Sequence, residues 1–143
     1  MPIDRRVSLI TLGVSDVSVS TAFYERLGWV KSSASQIAIT FIQLKGTVLA
    51  LFSRAALADD AGVADTGKGF NGVTLAHNLD SEAAVDETFA EFVRCGAQPV
   101  KPPHKVFWGG YSSYVADPDG HLWEIAYNPF VPMDDDGHLV LPE

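Results

Sequence analysis

Ile10-Thr11-Leu12-Gly13-Val14 is a run of apolar and β-branched residues, the pattern of a strand. Val19, Ala22, Phe23 and Leu27 then recur at helical spacing and predict a helix with one apolar face. Asp16 or Ser18 can cap its start, and Gly28 suits the left-handed residue that closes it. Three strand-like stretches follow, Trp29 to Ser32, Ile37 to Leu44 and Thr47 to Phe52, with a tight turn at Lys45-Gly46 between the last two.

The second half repeats this order. Val73-Thr74-Leu75-Ala76 matches the first strand, and Asp80 or Ser81 opens a helix whose apolar face is Val85, Phe89, Phe92 and Val93, closed by Gly96. Strands are expected at Gln98 to Lys101, Tyr111 to Ala116 and His121 to Tyr127. Asp117-Pro118-Asp119-Gly120 between the last two fits a type I turn, with Pro second and Gly fourth. Between the halves, residues 54–69 are rich in Ala, Asp and Gly and form a connector, with a short helical turn at Ala55 to Ala61.

A β-α-β-β-β unit cannot bury a whole sheet face by itself. The expected architecture is therefore α+β: two tandem βαβββ modules related by a pseudo-twofold, their sheets curling around a cleft. Module 1 spans about 7–53, module 2 about 70–128 and a tail 129–143, all within a single domain 1–143. A cleft at such a seam is the expected small-molecule site. A ferredoxin-like domain without a pocket is the alternative, and the repeat disfavours it.

Composition narrows the partners. Hydrophobic residues make up 47% and charged residues 20%, which suits a folded domain rather than a disordered chain. A net charge of −8 disfavours nucleic acid, whose affinity rests on Lys and Arg, and is compatible with a cationic ligand. The apolar run after the polar start Met1 to Arg6 is too short for a membrane span and has no signal-peptide pattern, so a cytoplasmic location is expected. Cys95 is the single cysteine, which excludes an internal disulfide and a cysteine-based zinc site. It reads as a buried structural thiol with nothing nearby to activate it.

Three stretches carry a family likeness: Thr11-Leu12-Gly13-Val14-Ser15-Asp16, Ala22-Phe23-Tyr24 before Leu27-Gly28-Trp29, and Asp117-Pro118-Asp119-Gly120-His121-Leu122-Trp123-Glu124. Together they resemble the vicinal oxygen chelate superfamily of glyoxalase I, bleomycin-resistance proteins and extradiol dioxygenases. The likeness spans about residues 7–128, and the segment ending in Glu124 is its most specific part. It implies a homodimer, and in the family's enzymes a divalent metal held by four strand positions, one on the first and one on the last strand of each module. Matching the repeats places these positions at Leu9, Ala50, Gly72 and Glu124. Only Glu124 has a donor atom in its side chain, whereas a catalytic metal needs about three protein ligands. A rebuilt metal site would need Glu124, His77 and His104, although His77 has the wrong strand parity and His104 is expected in a loop.

Without a metal, two readings of Glu124 stand. In one, its carboxylate is merely satisfied by neighbouring hydroxyls such as Thr11 or Thr74. In the other it is a catalytic general base or a counter-charge for a ligand. Phe107 and Trp108, in a glycine-rich stretch, form a candidate lip that stacks on a planar ligand, while Tyr114 reads as core. Gly67-Lys68-Gly69-Phe70-Asn71-Gly72 matches G-x-G-x-x-G but enters a strand rather than a helix, so it is not a dinucleotide fingerprint. In the tail, Asp134-Asp135-Asp136 reads as solvated, and His138 to Leu141 as a segment that packs on the domain or on a partner subunit. The expected function is metal-free binding of a small organic molecule, cationic ones included, by Thr11, Thr74, Phe107, Trp108 and Glu124. The alternative is a metal-dependent lyase, isomerase or dioxygenase.

Overall fold

In a computed structural model the protein is mixed α+β, with a three-stranded and a four-stranded sheet and three helices. The structure describes residues 3, 5–67 and 69–142; Met1, Pro2 and Asp4 of the polar start and Lys68 of the glycine run lie outside the described residues. The chain divides into two compact units, Met1–Thr66 and Gly67–Glu143.

Unit 1 runs β1 (Leu9–Val14), α1 (Val17–Arg26), β2 (Ile39–Gln43), β3 (Val48–Ser53) and α2 (Arg54–Ala61). Its sheet has the order β1-β3-β2, with β1 parallel to β3 and β2 antiparallel to it. Asp16 caps α1 by accepting from the backbone of Ser18 and Val19, and Gly28 follows the helix with φ 88°. The buried side of α1 is Ser20, Thr21, Phe23 and Tyr24, while Val19 is exposed. The hydrophobic pattern therefore misplaced this face by part of a turn. Thr21 can face the sheet because its hydroxyl bonds to Val17 O at 2.6 Å and to Thr40 Oγ1 at 2.8 Å. Serines are also why the strand expected at Trp29 to Ser32 shrinks to one bridge, Lys31 with Ile42. Ser32 Oγ turns back to Ala34 N, and Ser35 Oγ takes the Phe41 N–H that a neighbouring strand would have used.

Unit 2 runs β4 (Thr74–Leu79), α3 (Glu82–Arg94), β5 (Gln98–Lys105), β6 (Tyr111–Ala116) and β7 (Leu122–Tyr127). Its sheet has the order β4-β7-β6-β5, and Ser81 caps α3. Val85 and Phe92 of α3 are buried, as are Val115, Trp123 and Ile125 of the sheet; Val93 is partly exposed. Cys95 is buried as expected, but its Sγ lies 3.6 Å from Glu91 Oε1 and 3.7 Å from Arg94 Nη2, a charged pair missed in the sequence.

Two features of unit 2 matter for the site. The Asp117–Gly120 turn closes as expected: Gly120 N–H donates to Asp117 O at 3.0 Å, and the buried Asp117 Oδ1 accepts from Asp119 N and His121 N. Gly120 has φ 84°, which a glycine adopts without strain. Second, β5 continues past Lys101 through Pro102 and Pro103 to Lys105. A proline cannot donate to the ladder, so this is tolerable only because β5 is an edge strand of the unit 2 sheet, and its register against β6 shifts twice.

Candidate functional site

The hairpin geometry of β6 and β7 places Tyr114 directly opposite Glu124 and Ser112 opposite Ala126, so Ser112, Tyr114 and Glu124 share one face of the sheet. There Ser112 Oγ and Tyr114 OH each donate to Glu124 Oε2 at 3.0 Å. Within unit 2 both bonds fall on one oxygen, and Oε1 carries none. Ser112 is buried, while Tyr114 and Glu124 are half-buried. Burial first, and then the bond and charge of Glu124, raise the Tyr114 phenol pKa above 10.0. Tyr114 is thus no core residue but a partner of Glu124. The left-handed Gly120 adds one residue to the turn and brings Asp117 opposite His121; counting outwards from that pair sets Tyr114 opposite Glu124.

The rest of this face follows from pairing. Ala76 lies opposite Glu124, and Thr74 opposite Leu122, on the β4 side. On the β5 side Lys101 lies opposite Tyr114, and His104 opposite Ser112. His104 therefore sits in a strand, not a loop, and the bulges of β5 bring it to the Glu124 face. Its Nδ1 lies 2.8 Å from Pro102 O. His77 is one residue along from Ala76 and points the other way, with its ring 6.5 Å from that of Phe92 on α3. Burial lowers its pKa below 6.5.

Within unit 2 the hydroxyls bonded to Glu124 are those of Ser112 and Tyr114, not that of Thr74. Thr74 shares the Glu124 face but is exposed, and Thr11 lies in unit 1 opposite Ala50. Phe107 and Trp108 form the tip of the β5–β6 hairpin, where Gly109 N donates to Val106 O and Val106 N to Gly110 O. Phe107 is fully exposed, and the Trp108 ring folds over Gly110.

Strand pairing also corrects the family positions. Thr11 pairs with Ala50 in unit 1, and Ala76 pairs with Glu124 in unit 2. With Ala50 and Glu124 as counterparts, the counterpart of Leu9 is Thr74, not Gly72. The caps agree, since Asp16 follows Val14 by the same step as Ser81 follows Leu79. Gly72 lies outside any strand, with φ 80°. The four positions are then Leu9, Ala50, Thr74 and Glu124, which supply one carboxylate and one neutral hydroxyl. That donor set does not fit a catalytic divalent metal. Nor do His77 and Glu124 converge, because they lie on opposite faces of the unit 2 sheet.

Among the described residues, the one group of three metal-type donors lying close together is Asp134, Asp136 and His138 in the tail. All three are exposed, and Asp134 is already engaged: Oδ1 accepts from the backbone of Asp136 and His138, and Oδ2 faces His138 Nδ1 at 3.1 Å. This is the Asp117–His121 turn over again. The tail's apolar end, Leu139 to Leu141, stays largely exposed instead of packing on the chain.

The family model described as the Glyoxalase/Bleomycin resistance protein/Dioxygenase superfamily matches residues 6–125, and the chain belongs to that superfamily. Among solved structures, a glyoxalase-related enzyme from Fulvimarina pelagi is 38% identical, with 97% of this chain and 99% of that chain covered and a TM-score of 0.84. A glyoxalase/bleomycin resistance protein/dioxygenase family enzyme from Burkholderia phytofirmans PsJN shares the fold at 18% identity, covering 85% and 98%, with a TM-score of 0.75. A lactoylglutathione lyase from Agrobacterium tumefaciens does so at 23% identity, covering 88% and 96%, with a TM-score of 0.64. No curated protein matches the sequence. No helix among the described residues is long and apolar enough to cross a membrane.

Proposed function

We propose that the protein binds a small organic molecule on the Glu124 face of unit 2, without a metal. The observation that carries this reading is the state of the Glu124 carboxylate. Two hydroxyls hold Oε2, and Oε1 is left to accept from a ligand. Glu124 orients or charge-matches the ligand, Thr74 offers a hydroxyl on the same face, and Phe107 and Trp108 supply aromatic surface at the hairpin tip. Thr11, the remaining candidate from the sequence, is the counterpart of Ala76 in the repeat and stays a candidate ligand contact of unit 1. Leu9 and Ala50 offer no donor and Thr74 only a neutral hydroxyl, which supports binding over metal-assisted chemistry.

A second reading is favoured by one fact: the Fulvimarina pelagi relative, 38% identical, is described as a glyoxalase-related enzyme. On that reading the protein is an enzyme of the superfamily, and Glu124 is its catalytic carboxylate. Metal analysis of protein purified without chelator separates the two. Stoichiometric Zn, Ni, Fe or Mn, lost on Glu124→Ala, overturns the metal-free reading. Saturable thermal stabilisation by a small molecule, removed by Glu124→Gln or Trp108→Ala, supports it. The homodimer implied by the superfamily is part of the proposal and is read by light scattering.

A further inference from the structure

We infer that His104 is a second functional group of the Glu124 face, and that the face takes a ligand presenting two hydrogen-bond donors, N–H or O–H. This rests on the reading of that face as a binding surface. Pro102 O can only accept a hydrogen bond, so the proton at their 2.8 Å contact belongs to His104 Nδ1. A neutral imidazole carries one N–H, so Nε2 presents a lone pair. The backbone carbonyl thereby holds the tautomer and the orientation of the ring.

Strand pairing puts His104 directly opposite Ser112, whose Oγ is bonded to Glu124 Oε2 on the far side. The buried Ser112 is thus paired with His104 and bonded to Glu124, and each of these two neighbours keeps an acceptor, Nε2 on His104 and Oε1 on Glu124. Neither acceptor has a donor within unit 2. Ser112 and Tyr114 have committed their single protons to Oε2, so they cannot serve a ligand's acceptors without giving up that bond. The exposed ammonium of Lys101, opposite Tyr114, keeps a cation on the same face. A ligand is thus recognised by its donors and need not carry a positive charge. Amides, amidines, amino alcohols and polyols meet this description; carboxylates and esters do not.

The test uses the full chain, 15N-labelled, with four probes of one shape: benzamidinium, benzamide, methyl benzoate and benzoate. Amide shifts of Ser112, Tyr114, Glu124 and His104 report the face. The expected result is saturable perturbation by benzamidinium and benzamide, with the ester and the carboxylate weaker by about tenfold, and His104→Ala weakening benzamide about tenfold, as loss of one hydrogen bond predicts. If methyl benzoate binds this face as well as benzamide, the donor rule is overturned while the binding reading stands. If none of the four perturbs the face, both fail. Long-range 1H–15N spectra of the unliganded wild type need no variant: a proton on His104 Nε2 instead of Nδ1 overturns the assignment.

Discussion

Tyr114→Phe removes one hydroxyl from the Glu124 carboxylate and leaves the ring in place. A hydrogen bond to a charged acceptor contributes about 1.5–3 kcal/mol. Tyr114 and Glu124 are both half-buried, so water competes and the low end applies, about 1.5 kcal/mol. With Glu124 already replaced by Ala, the same change removes a hydroxyl bonded to nothing in unit 2 and costs close to zero. The double-mutant cycle Tyr114→Phe with Glu124→Ala should therefore show a coupling of about 1.5 kcal/mol, or about 5 °C in Tm. Urea denaturation of the four proteins measures it. Ultraviolet titration of the phenol is the independent check. Burial and Glu124 together raise the Tyr114 pKa above 10.0, so Glu124→Ala should lower it part of the way, leaving the part due to burial. A group with a raised folded pKa contributes its full stability below the unfolded value, here 10.0, and loses it as pH rises through the folded value. The Tyr114→Phe penalty should accordingly fade at high pH. A coupling under about 0.3 kcal/mol, with a phenol titration indifferent to Glu124, refutes the arrangement.

Three further outcomes are expected. In the buried Thr21–Thr40 pair, Thr21's single proton goes to Val17 O, so Thr40 must donate to Thr21. Thr21→Val then strands a buried donor and costs about 1–3 kcal/mol, while Thr40→Val costs under about 1 kcal/mol; the reverse order in chemical denaturation counts against the assignment. Burial lowers the His77 pKa, so below 6.5 the unfolded chain takes up a proton that the folded one resists. Stability should fall as pH drops from 6.5 towards the lowered folded value, and His77→Phe should remove that part of the slope in urea midpoints measured across the range. At the hairpin tip, a Cβ on Gly110 would come within 2.0 Å of Trp108 Cη2, the far end of a movable side chain. Gly110→Ala should shift Trp108 fluorescence while costing little stability; an unchanged spectrum would show that the ring does not rest there.

Much of this protein could be read along the chain. The internal repeat, the two principal helices and the hairpin turn at Asp117–Gly120 all follow from local patterns, and the resemblance to the superfamily singled out Glu124 as the one carboxylate among its metal positions. Those patterns have a period, and the period tells which element forms. They do not tell which residue lies opposite which. A slip of two residues on a strand keeps every side chain on its face, so alternation could not distinguish Gly72 from Thr74 as the counterpart of Leu9; only the hydrogen-bonded register of β1 with β3 and of β4 with β7 did. Parity itself failed on β5, where Pro99, Pro102 and Pro103 interrupt the ladder and the resulting bulges turn Lys101 and His104 to the Glu124 side. Local pattern named the carboxylate. The hairpin turn at Asp117–Gly120 set Tyr114 and Ser112 beside it, while His104 was decided only by the bulged pairing of β5 with β6, a register that alternation along a single strand does not contain.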